Sequence, residues 1–339
     1  MKARPLGKFH HLIGFVIPLL LPVLVAAQNL PRGKIYVASQ GSDTVSVIDS
    51  SRLEVIATVE VEDTPHNVNH TPDGRLVLVT NKNINTKKPA SLSIIRTDTD
   101  KIVATVENLG ERIEHVVVPS GGHRAYVSED LAKNAVVDID LNSNQLKGSI
   151  PVGIKPHGLV SSWDGKSLFV PNQLSGTISK IDLNTQKVVA EAEVGRTPTV
   201  IAVTPDDKTL YVTLFGERGV AVVDAQKIES GKMQINDVIR VGERPAQVAI
   251  TPNGRYVLVP AEGPGALYMI EEATHRAVTE IPTGAKAHGV DVSSDSRYAF
   301  VTNWNDGSLS VVNLSQKKVL KQIQVGESPA GVDFVPIPD

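Results

Sequence analysis

Apolar residues in this chain come in short β-branched runs, separated by clusters of Pro, Asp, Asn and Gly. The run Leu76-Val77-Leu78-Val79-Thr80-Asn81 follows the turn Thr71-Pro72-Asp73-Gly74, and the alternating run Ser91-Leu92-Ser93-Ile94-Ile95 comes next. Another alternating run, Thr177 to Asp182, leads through a polar turn to Lys187-Val188-Val189-Ala190-Glu191-Ala192. Period-two runs bounded by such turns predict strands, and no stretch of useful length carries an amphipathic helical pattern.

The pattern repeats. KPHGLVSSWDGKSLFVPN from Lys155, TPTVIAVTPDDKTLYVTL from Thr197, RPAQVAITPNGRYVLVPA from Arg244 and AHGVDVSSDSRYAFVTN from Ala287 are relatives of the segment that starts at Thr64. A weaker copy begins at Ile113 and a truncated one at Ser328. The position of His66 recurs at Glu114, His157, Thr199, Ala246, His288 and Ala330, spaced by 42 to 48 residues. Each period has room for one four-stranded propeller blade, with strands a to d in chain order. The first copy of the pattern, Ile35 to Val61, lacks strand a, whereas Ala330 to Phe334 is a strand a with nothing after it. Pairing them closes a seven-bladed, all-β ring.

The 339 residues, 41% hydrophobic and 21% charged, are too apolar for disorder, and their number alone suggests two domains. Seven repeats about one axis replace that expectation with a single propeller over residues 28–339. The absence of cysteine excludes disulfide scaffolds, thiol enzymes and iron–sulfur centres. Residues 1–27 read as a signal peptide, with Lys2, Arg4 and Lys8 before an uncharged segment that ends in Val25-Ala26-Ala27. That segment is too short for a membrane span and contains Pro18 and Pro22, so a periplasmic, secreted or cell-surface protein without stable membrane insertion is expected. Without the three leader cations the balance is acidic, which disfavours nucleic acid as a partner. A monomer is expected.

In a propeller, the start of strand a and the end of strand b meet at one mouth of the central channel. The recurring position therefore brings His66, Glu114, His157 and His288 towards one axis, as candidate ligands for a divalent metal such as zinc, copper or magnesium. The last residues of the b strands add Asn81, Glu129, Asn172 and Asn303, with Trp304 beside them, as candidate contacts for a small molecule or protein. The long b–c loop Lys82 to Ala90 is placed to cover part of the mouth. His115 is one position out of register and is expected to point away from the ring. His70, within strand a, reads as a core histidine with a hydrogen-bond partner, and His123 and His275 fall in turns on the plainer face. A second long connection, Ala225 to Asp237, lies on that face too.

The b strands LVLVTN, LFVPN, LYVTL and AFVTN resemble those of the YVTN β-propeller family, which includes YncE-like periplasmic proteins and surface-layer propellers. The resemblance covers essentially the whole mature chain. It implies an exported, non-catalytic propeller that binds at the channel mouth. Pro156-His157-Gly158 and Ala287-His288-Gly289 are also similar to elements of streptogramin lyases, which implies a metal-assisted lyase or hydrolase as an alternative, with His157 and His288 as ligands or base. A likeness in repeat style to haem d1 propellers implies a third, an accessory protein for haem d1 or a quinone.

Overall fold

The computed structural model describes residues 30–228 and 234–337. The leader read at residues 1–27 lies outside them. Among the described residues, twenty-eight strands form seven four-stranded antiparallel sheets, one per repeat. Blade one runs from strand Pro65–His70 to Lys101–Val106, and blade six from Ala287–Val292 to Lys318–Gln324. Blade seven joins the two ends of the chain. Strand Pro329–Pro336 pairs antiparallel with Gly33–Ser39, placing Gly33 opposite Pro336. Closure of this kind gives blade seven its full four strands and leaves the ring only the short inner and outer edges of its blades.

Burial follows the layering. The b and c strands are buried on both faces, as in Leu76–Asn81 and Ser91–Arg96, because each blade is covered by a neighbour on either side. Each of the seven apolar clusters straddles one blade interface. One joins Leu78 and Ile94 to Ile113 and Val127, and another joins Ile48 to Phe300 across the closure. The outer d strands, such as Gln145–Pro151, are mostly exposed. The inner a strands line an axial cavity between Asn67, His115 and Gln247 at one end and Pro252 and Pro336 at the other.

A buried hydroxyl on strand b ties neighbouring blades together. Thr213 Oγ1 accepts from Val200 N at 3.0 Å and donates to Ala246 O of the next blade at 3.2 Å. Thr80, Ser128 and Thr302 repeat the arrangement. Blades three and five have Pro171 and Pro260 at this position, and their a strands shrink to Val160–Ser161 and Ala249–Ile250. The long connection from Ala225 is shorter than expected, since its last strand begins at Ile235 and includes Asp237.

Candidate functional site

The recurring position of strand a lies in a β-bulge. In blade two Ile113 pairs with Glu129 and Val116 with Val127, so Glu114 and His115 together stand opposite Ser128. Blades one, four and six carry the same shift. A bulge sets two residues against one and suspends the alternation that sends neighbours to opposite faces. His115 therefore joins the site, which corrects the expectation that it points away. The position after the marker is glycine in blades three, six and seven, where the next blade's backbone comes close. A Cβ on Gly158 would lie 2.8 Å from Val200 Cα.

His66, His115 and His157 converge. Each offers one donor atom within 4.8 Å of the other two, and the ring centroids lie 5.4, 5.7 and 5.0 Å apart. His66 Nδ1 faces Gln40 Nε2. His66 Nε2, His115 Nε2 and His157 Nδ1 are buried without a hydrogen-bond partner. Glu114 Oε2 lies 3.2 Å from His66 Nε2 and 3.5 Å from His157 Nε2. Lys82 Nζ reaches the same oxygen at 2.5 Å, and Arg112, paired to Asp130 at 2.6 Å, stands behind it. Burial, the charge of Lys82 and the other imidazoles push the three histidines well below their ordinary pKa. They are held neutral, the form that binds metal. Nitrogens bound at 2.0–2.1 Å to one tetrahedral ion stand about 3.4 Å apart, so the cluster has to contract slightly around an ion.

His288 shares the mouth but not the cluster. Its ring lies 6.2 Å from that of His66, and its Nδ1 is 2.9 Å from Glu262 Oε1. Burial raises the Glu262 pKa, but the His288 hydrogen bond and the charges of His288, Lys286 and Arg244 outweigh it and hold the carboxyl below its ordinary range. Trp304 packs against His288 at 5.2 Å, with Lys286 Nζ 4.0 Å above its ring. It thus has partners of its own.

The remaining rim expectations need correction. Asn81 Nδ2 donates to Ser91 and Ser93, Asn172 Nδ2 to Thr177 and Ser179, and Asn303 Nδ2 to Ser308 and Ser310. These buried amides bind strand b to strand c within a blade and do not line the mouth. Glu129 accepts from Ala132 N and Lys133 N, which fixes the b–c loop of blade two. The loop after Lys82 is tied by Asn85 and Thr86 to Asp63 and lines a neighbouring groove with Arg112 and Leu131, so Lys82 alone reaches the cluster. His70 has its partner, Asp333 Oδ2 at 2.8 Å, yet lines the axial cavity. Two residues of the site escaped the sequence reading, Glu262 and Gln247, the latter at the position after Ala246.

Together these features define a seven-bladed propeller with a histidine cluster at one mouth of its channel. The YNCE-like beta-propeller family matches residues 32–336, and the chain belongs to that family. It is similar to Antigen Lp49 of Leptospira interrogans, with 27% identity over 56% of this chain and 45% of Lp49. It is also similar to the seven-bladed beta-propeller protein Rv1057 of Mycobacterium tuberculosis, with 30% identity over 37% of this chain and 32% of Rv1057. The chain thus spans less than half the length of these two curated relatives. Among solved structures, a functionally unknown protein from Desulfotomaculum acetoxidans superposes with a TM-score of 0.78 at 16% identity, over 91% of this chain and all of the other. That likeness concerns the fold. No helix among the described residues is long and apolar enough to cross a membrane.

Proposed function

We propose that the chain is an exported, non-catalytic propeller that binds one divalent transition metal at the channel mouth through His66, His115 and His157, with Glu114, held by Lys82, beside the ion. The observation that carries this is the convergence of three buried imidazoles, each with a ring nitrogen free of any hydrogen bond. Leaving a buried polar nitrogen unpaired costs about 1–3 kcal/mol, and a bound ion supplies the cluster with a partner. Nitrogen donors favour zinc or copper, whereas magnesium prefers oxygen. Export rests on the leader at residues 1–27, and neither nucleic acid nor a second copy of the chain is needed for the site.

Elemental analysis of the purified protein tests the proposal. Stoichiometric zinc or copper that disappears in His115→Ala and His157→Ala is the expected result. Metal-free protein whose melting temperature ignores added zinc and copper overturns it. A metal-assisted lyase or hydrolase is the second reading, favoured by the His288–Glu262 pair, an imidazole and a carboxylate in hydrogen-bond contact at the same mouth.

A further inference from the structure

His115 and His157 of the cluster line a cavity of about 330 Å³, whose other walls include Lys155, Gln173, Thr199, Gln247 and Glu262. That volume is at the lower end of the range for small-molecule sites. Its polar groups are unevenly matched. The carboxylates are already occupied, with Glu114 against Lys82 and Glu262 against Arg244 and His288. Several donors are not. Gln247 is more than nine-tenths buried, its Oε1 accepts from Val290 N at 3.3 Å, and its Nε2 has no partner. Lys155 lines the cavity with no carboxylate within ion-pair distance among the described residues. Gln173 Nε2 makes only a long hydrogen bond of 3.4 Å to Thr199 Oγ1, whose own proton goes to Thr197 O at 3.1 Å.

A half-open pocket with spare donors and engaged acceptors selects an anion. A metal held by three neutral imidazoles keeps an open position and a net positive charge on the same wall. We infer that this cavity binds a small hydroxycarboxylate, with its carboxylate on Gln247 Nε2 and Lys155 and its hydroxyl end at the open position of the metal. The inference rests on the metal centre proposed above and specifies the ligand class of that site.

Cobalt(II) reports both events, because its visible absorption changes with the ligand set. The probes are L-lactate and its uncharged analogue lactamide, titrated into cobalt-loaded protein and followed by absorbance and calorimetry. Lactate is expected to saturate and shift the cobalt bands, and lactamide is expected to leave them unchanged. Gln247→Leu and Lys155→Met should each weaken lactate binding at least tenfold while cobalt still loads stoichiometrically, which shows that the variants are folded. Cobalt uptake without a lactate response, or lactate binding that survives both substitutions, overturns the anion site alone. Failure to take up cobalt overturns the metal centre on which it rests.

Discussion

Lys82 Nζ stands 2.5 Å from Glu114 Oε2, so the carboxylate that faces the histidine cluster is already neutralised by a cation of the same chain. Lys82 also helps to push the pKa of all three imidazoles down. A divalent ion entering the cluster must meet that charge or displace it. Lys82→Met removes the repulsion and frees the carboxylate oxygen as a ligand. Zinc affinity should rise on the order of tenfold or more, equivalent to about 1.4 kcal/mol. Competition against a chromophoric chelator measures this, and unchanged or weaker affinity would contradict the assigned role of Lys82.

The bulge of blade two makes a prediction that regular strand geometry does not. His115 belongs to the cluster, whereas His288 is engaged by Glu262. His115→Ala should therefore weaken zinc binding by about a hundredfold or more, at or beyond the upper end of what loss of a ligand's supporting partner produces, and His288→Ala by less than fivefold. The opposite order would restore the register read from the repeats alone.

The hydroxyl staples separate stability from binding. Thr213→Val leaves Val200 N and Ala246 O without their shared partner and should cost about 1–3 kcal/mol, with no effect on metal affinity. Ser128 is bonded to His115 N and His157 O. Ser128→Ala should lower the melting temperature and also weaken zinc binding, because two ligands hang from that one oxygen. Denaturant unfolding and metal titration on the same samples distinguish the two cases, and equal loss of zinc affinity in both variants would refute the distinction.

The ring was legible because strands of period two, repeated at nearly constant spacing, leave few alternative folds. The site was less so. The marker register brings His66, Glu114 and His157 to one mouth, but a bulge has no signature in one sequence beyond the glycines at Gly158, Gly289 and Gly331. Alternation thus sent His115 the wrong way. The amides were misplaced for another reason. A polar residue at a strand end looks like a rim contact, yet strand c answers each asparagine with a hydroxyl pair: Ser91 and Ser93, Thr177 and Ser179, Ser308 and Ser310. Where strand b ends in Leu214 or Ala261, the matching c positions are Gly219 and Ala221, or Ala266 and Tyr268. That correspondence between repeats was present in the sequence and marks the asparagines as internal ties.

The axial cavity supplies a pH dependence of its own. Asp333 raises His70 to about 9 against the opposing effect of burial, with Asp291 and Asp73 adding to the rise. A solvated imidazole titrates near 6.5. Between about pH 6.5 and 9 the folded chain therefore keeps a proton that the unfolded chain has released, and stability falls as pH rises across that window. The contribution is complete below the lower value and lost once His70 deprotonates at the upper one. His70→Gln keeps a hydrogen-bond donor to Asp333 but has no proton to lose. Unfolding by urea at pH 6 and pH 9.5 should show a smaller loss of stability in the variant than in the parent chain, with the two differing most at pH 6. Equal pH slopes would mean that the His70–Asp333 contact carries no net charge in the folded protein.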